Sequence, residues 1–396
     1  MKNQCNLLFV TYGGGHARML LPVIVELSKL SNVSISVLAL TTAPSELKHL
    51  SLNMLRYKDF FGSCKKVKRY GEELIRDMEK VVDYDETISY LGKNYLELVE
   101  LLGEDGAHDI YKREGRQSFN PEKALEEILT KVNPDVVIAT NSPRSERAAI
   151  RAARNLGIYS IAMIDMFSIR CENWFSDNNF ADKVLVFSDF VKNSLVSKGR
   201  SEDSIVVTGN PAFDSLVNHY IMYKDKIEEN RAIKPFTVLW ASQREPAYLS
   251  EVKLYGDVDL PIKVEAVLVD VFTKHPDWCL IVRNHPSEVC REYPKHVRVS
   301  NQSDDLLNLL SCVDVVITLT STVGFQGSIL GANFVTIDLS VVTPTMPFSE
   351  MGISQGVKSL DEIESVLLSI FQKDSACQKS SYAIENATNN VIKEIL

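Results

Sequence analysis

The side chains best suited to chemistry sit at a few places, each at the carboxyl end of an apolar run. After Val313-Asp314-Val315-Val316-Ile317 come Thr318, Thr320, Ser321 and Thr322, then a small-residue stretch holding Gly324, Gln326 and Gly327. Hydroxyls and free N–H groups that converge on a helix start favour an anion, so a phosphorylated ligand is expected there. One Ser or Thr would be an ordinary helix cap. Four hydroxyls exceed that need, and Gly324 and Gly327 are expected to thin the first turns so that a ligand can approach. In Ile281-Val282-Arg283-Asn284-His285-Pro286, His285 can donate to a phosphate, Arg283 adds charge and Pro286 fixes the exit of the strand.

The first apolar run ends in Thr11-Tyr12-Gly13-Gly14-Gly15-His16. Gly13, Gly14 and Gly15 permit close backbone approach and a tight entry to a helix. The spacing is not that of a dinucleotide-binding turn, and Leu40-Thr41-Thr42 offers no acidic residue for a ribose. His16 at a helix start suits a neutral general base. Asp165, after the run Tyr159–Ile164, is a second candidate for that role; a loop or capping carboxylate is its plainer reading. Thr208-Gly209-Asn210-Pro211 reads first as strand-to-helix punctuation. Asp257-Val258-Asp259 lies in a Gly- and Pro-flanked loop, and no metal site is expected. No zinc-protease, P-loop or nucleophile-elbow motif occurs.

These segments need a scaffold, and the rest of the chain supplies its pattern. At 396 residues two domains are the natural expectation. Runs Asn6–Thr11, Ser34–Leu40, Asp135–Thr140, Tyr159–Ile164, Lys183–Phe187 and Ile205–Thr208 predict strands, with helices over Met19–Leu30 and Arg144–Leu156. Continuously apolar strands separated by helices imply a parallel sheet covered on both faces. The alternation restarts with Thr237–Ala241, Cys279–Val282, Val297–Ser300, Val313–Thr318 and Phe334–Ile337. The expectation is an α/β protein with two Rossmann-like parallel-sheet domains facing a central cleft, over residues 1–218 and 219–396. Residues 69–133 read as a helical, acidic insertion, residues 219–234 as a polar linker closed by Pro235, and the last helix as one that crosses back to the first domain.

Composition narrows the function classes. A formal net charge of −9 argues against broad nucleic-acid binding. The run Lys65-Lys66-Val67-Lys68-Arg69 reads first as a solvated face and admits a peripheral contact with anionic lipid at the inner face of a membrane. The seven cysteines are scattered, without a C-x-x-C pair, and read as buried thiols of a reducing compartment. With no leader and no long apolar run, a cytoplasmic protein is expected.

Taken together, the sequence resembles the glycosyltransferase-B fold. Gly13-Gly14-Gly15-His16 is similar to the first-strand loop of these enzymes, Thr208-Gly209-Asn210-Pro211 to the turn closing their first domain, and Ser321–Gln326 with Leu330-Gly331 to their donor-binding helix. UDP-sugar enzymes commonly place Glu where Gln326 stands, and the related UDP-N-acetylglucosamine 2-epimerases usually carry consecutive glutamates there. His285-Pro286 with Ser321-Thr322 resembles bacterial sialyltransferases, polysialyltransferases and capsule Kdo-type transferases, in which such motifs hold the phosphate of a CMP-sugar. The resemblance implies an inverting, metal-independent glycosyltransferase. It would move a sugar from a nucleotide-sugar donor, CMP-activated or UDP-activated, onto a glycan or lipid-linked acceptor, with no further cofactor. Arg283, His285, Pro286, Thr320, Ser321, Thr322, Gly324 and Gln326 would hold the donor, with His16 or Asp165 as base. A nucleotide-sugar epimerase or hydrolase, and a non-catalytic nucleotide-sugar-binding subunit, are the alternatives.

Overall fold

The computed structural model describes residues 4–75, 83–166, 172–250, 252–285, 287–288, 291–372 and 384–396. They form two compact units, residues 1–212 with 386–396 and residues 213–385. The division follows Ala212, ahead of the expected residue 218.

Unit one is built on seven strands: β1 (Cys5–Thr11), β2 (Val33–Ala39), β3 (Asn53–Leu55), β4 (Val136–Ala139), β5 (Tyr159–Met163), β6 (Lys183–Val186) and β7 (Ile205–Val207). Their order is β3-β2-β1-β4-β5-β6-β7, all parallel. In β1, Leu7, Leu8, Phe9 and Val10 are all buried, as a strand covered on both faces requires. Register sets Val10 opposite Leu38 on one side and Ala139 on the other. Between β3 and β4 lie helices Lys65–Leu74, Tyr84–Glu114 and Glu122–Val132, and Gly103 breaks the long one with φ of 75°. The helix Ala387–Ile395 sends Val391 and Ile395 into the core that helix Gly15–Leu27 fills with Ala17, Leu20 and Ile24.

Unit two has a six-stranded parallel sheet and a small hairpin. Its strands are β8 (Thr237–Ala241), the hairpin β9 (Tyr248–Leu249) and β10 (Leu254–Tyr255), then β11 (Cys279–Arg283), β12 (Val297–Val299), β13 (Val315–Thr318), β14 (Asn333–Ile337) and β15 (Gln355–Val357). The sheet order is β12-β11-β8-β13-β14-β15. One expectation fails here. Residues 219–232 are not a linker but part of a helix, Asp214–Ala232, which buries only Val217, Tyr220 and Ile227. A stripe that narrow leaves the segment polar in sequence although it is helical in fact.

In both sheets the strand order reverses at one place, between β1 and β4 and between β8 and β13. Ligands of such sheets bind outside the carboxyl ends at that reversal.

Candidate functional site

In unit one, β1 delivers Tyr12 and the glycine turn to the reversal. Gly13 and Gly14 take φ of 128° and 61°, values that favour glycine. A Cβ on Gly13 would collide with the Thr42 side chain and lie 2.8 Å from the Ala43 nitrogen, whereas Gly14 and Gly15 face open space. The Gly14 N–H donates to Glu46 Oε1 at 2.5 Å. A carboxylate of the protein itself therefore occupies this turn.

His16, the second residue of helix Gly15–Leu27, has Nδ1 2.6 Å from Thr140 Oγ1 at the end of β4. Thr140 Oγ1 in turn donates to Glu146 Oε2. Glu146 is fully buried and also accepts the N–H groups of Tyr12 at 2.9 Å and Ser142 at 3.2 Å. Burial pushes its carboxyl above the usual range, while nearby His16, the Thr140 hydroxyl and these N–H groups pull it back. With Glu146 ionised, the single Thr140 proton points to the carboxylate, so Thr140 accepts from His16 Nδ1–H. That leaves His16 Nε2 as a proton acceptor, the form a general base needs.

Asp165 lies two residues past β5. Its Oδ1 accepts from Asn141 Nδ2 at 3.0 Å and from the Met166 N–H at 2.8 Å. Asn210 Nδ2 donates to the Asp165 carbonyl at 2.7 Å. The Gly209-Asn210 turn is thus more than punctuation, because it braces the Asp165 backbone.

In unit two, the first residues after β8 connect the two segments expected to hold phosphate. Gln243 Nε2 donates to Thr320 Oγ1 at 2.8 Å, and the Thr320 N–H donates to Gln243 Oε1 at 3.1 Å. Ser242 donates its hydroxyl to Glu288 Oε1 at 3.0 Å and its N–H to the Arg283 carbonyl at 3.0 Å. Glu288 Oε2 accepts the His285 N–H at 2.9 Å. Ser321 caps helix Thr322–Ile329 by accepting the Val323 N–H at 3.3 Å. Gln326 is half-buried on that helix.

The His285 ring is exposed, and the Ser287 N–H donates to its Nδ1 at 3.2 Å. The proton of the neutral ring is then on Nε2, opposite to His16, so His285 presents a donor. Arg283 turns away from this group: its guanidinium donates to Ser300 Oγ at 2.9 Å and to the carbonyls of Asn301 at 3.0 Å and Gln302 at 3.3 Å. Pro286 lies outside the described residues. Beside Glu288 is a cavity of about 250 Å³, lined by Arg244, Glu245, Pro261, Ile262 and Arg291 among others.

The expected role of the helix glycines needs correction. A Cβ on Gly324 would run into the Phe334 ring, and one on Gly327 would lie 2.6 Å from Val316 Cγ2. Both glycines let the helix lie close on its own sheet; neither makes room for a ligand. Gly324→Ala is accordingly expected to cost about 1–3 kcal/mol by overpacking, seen as a lower Tm, and Phe334→Leu in the same chain should recover part of it.

Among the described residues no group of three His, Cys, Asp or Glu side chains is arranged to hold a metal ion. Asp257 instead pairs with Lys263. Nor is any described helix long and apolar enough to cross a membrane. Sequence reasoning missed Thr140, Glu146 and Gln243. A Glu in the first turn of a helix reads as dipole compensation, and only the adjacency of β1 and β4 brings Glu146 to His16.

No protein-family model matches the sequence, and neither does any curated protein. Solved structures do. A UDP-GlcNAc 2-epimerase from Neisseria meningitidis, bound to UDP-GlcNAc, is 14% identical over 98% of this chain and 99% of its own, with a TM-score of 0.60. The UDP-GlcNAc 2-epimerase of Methanocaldococcus jannaschii gives 14%, 98%, 99% and 0.59 in the same terms. The glycotransferase of kitacinnamycin gives 13%, 98%, 95% and 0.55. The chain has this two-domain, GT-B-like fold. The expectation of a CMP-sugar transferase is corrected by the same matches, among which UDP-GlcNAc 2-epimerases recur. The His-Pro and Ser-Thr pairs on which it rested speak only to a phosphate, a group that cytidine and uridine nucleotides share.

Proposed function

We propose that the protein is a nucleotide-sugar epimerase or hydrolase acting on a UDP-activated 2-acetamido sugar. The whole-chain likeness to epimerases supports the class, and the observation that carries the reading is the buried Glu146–Thr140–His16 relay. A sugar C2–H bond is not acidic. It becomes breakable when its electron pair can form a C1–C2 double bond and expel the anomeric diphosphate. The reaction therefore needs a base at C2 and a setting that stabilises the departing charge.

Each unit carries residues for one of these tasks. His16 Nε2 takes the C2 proton, and Glu146, through Thr140, stabilises the imidazolium that forms. The C1–O bond breaks and UDP leaves with the electron pair; the donors suited to its charge are the His285 Nε2–H, the Ser321 and Thr322 hydroxyls and the start of helix Thr322–Ile329. Returning a proton to the opposite face, drawn from solvent and passed on by Asp165, inverts C2, and His16 gives its own proton back to solvent. UDP adding back at C1 gives the epimeric UDP-sugar, and water adding there gives the free epimeric sugar. The test is incubation with UDP-GlcNAc and no acceptor. Appearance of a C2 epimer, as UDP-sugar or as free sugar with UDP, is expected. UDP release that requires an added acceptor would count against the reading.

A further inference from the structure

Arg144 has no task in the reaction as described, and its setting is unusual. It stands between β4 and helix Ser145–Asn155, with φ of 69° and ψ of −119°. Its guanidinium carbon lies 5.1 Å from the centroid of the Tyr12 ring. Its Nε is shut off from solvent and has no hydrogen-bond partner. The other arginines of the following helix are committed. Arg151 pairs with Glu122 at 3.4 Å and Arg154 pairs with Asp182; Arg147, whose Nε also lacks a partner and whose guanidinium lies over the Trp174 ring, still donates to Asn120 Oδ1 at 3.1 Å. Arg144 makes no ion pair among the described residues.

The platform beneath it is rigid. The Tyr12 hydroxyl lies 3.0 Å from the Tyr90 hydroxyl and 3.1 Å from Ser145 Oγ, and the Tyr57 hydroxyl lies 3.2 Å from the same Ser145 oxygen. None of these groups carries compensating negative charge. The two carboxylates of this unit's candidate site are engaged, Glu146 by three donors and Asp165 by Asn141 and Met166. A guanidinium held over an aromatic face keeps its planar fork of donors, which matches a carboxylate.

We infer that Arg144 recognises a carboxylate on the sugar itself, so that the preferred substrate is a UDP-activated acidic sugar, a 2-acetamido hexuronate in place of the neutral hexosamine. This rests on the reading under Proposed function. The diphosphate is the other anion that such a substrate offers, and the experiment separates the two.

Titration calorimetry of the full chain with UDP-N-acetylglucosaminuronate, UDP-GlcNAc and UDP reads the inference directly. The wild type is expected to prefer the uronate over the neutral donor by roughly 10- to 100-fold. In R144Q that ratio should fall to about one, with R144K between them, because a lysine offers a point charge in place of a fork. R144G accepts the positive φ without strain, so a normal Tm with the ratio lost would show that folding is not the cause. Equal affinities in the wild type, or an equal loss for both sugars and UDP in R144Q, would overturn the inference while leaving the underlying reading in place. Failure of the wild type to bind UDP in any form would overturn the underlying reading and the inference with it.

Discussion

His16→Ala should lower kcat by roughly 10²- to 10⁴-fold, the range lost when a positioned general base is removed. KM for the UDP-sugar should change far less, because the proposed base acts on the C2 proton and not on the nucleotide. His16→Gln tests geometry against chemistry: it can keep a hydrogen bond to Thr140 but has no basic nitrogen, so it should be as slow as alanine. Glu146→Gln probes the other end of the relay. The carboxylate accepts from Thr140, Tyr12 and Ser142, and an amide nitrogen cannot accept. One buried donor is left unmet, at about 1–3 kcal/mol of stability.

The same variant carries a pH signature. Burial raises the Glu146 carboxyl above its ordinary 4.5, so the folded state holds this proton more tightly than the unfolded chain. The stability from that proton is fully present below 4.5 and is lost as pH rises through the higher folded value. E146Q cannot titrate at this position. Chemical denaturation across this range should show the stability gap between wild type and E146Q narrowing as pH rises. A gap that is constant, or widens, would mean that Glu146 is not held as described.

The second large effect concerns the leaving group. With Ser287 N–H on Nδ1, His285 offers Nε2–H to an anion, and a hydrogen bond to a charged group is worth about 1.5–3 kcal/mol. His285→Ala should therefore weaken UDP binding by roughly 10- to 100-fold and leave uridine binding nearly unchanged. Gln243→Ala should follow the same pattern more weakly, since Gln243 acts only by holding Thr320 in place. Equal losses for UDP and uridine would place His285 against the nucleoside.

Much of this scaffold is legible in the sequence, for a physical reason. β1, β4, β8 and β13 are buried on both faces, so they appear as unbroken apolar runs that end where the polar residues begin. β3 and β15 are three-residue edge strands reading Asn-Met-Leu and Gln-Gly-Val, with a single β-branched residue between them, whereas β-branched residues make the equally short β7 and β12 visible as Ile-Val-Val and Val-Arg-Val. Helix Asp214–Ala232 hides because its buried stripe is so thin. The chemistry is legible only in part. His16, His285 and Ser321 stand out by type and position, but the partners that set their protonation, Glu146 and Ser287, depend on sheet order and loop shape. Gly324 was misleading for the same reason. A glycine announces a close approach without saying to what, and here the neighbour is the Phe334 ring.

In the proposed reaction the C2 proton leaves as the diphosphate departs. The most direct measurement is turnover of the UDP-sugar in D2O, with the product read by proton NMR and mass spectrometry. One deuteron is expected at C2 of the epimeric product, formed by the wild type and nearly absent with H16A. Product that keeps its original hydrogen at C2 would contradict it.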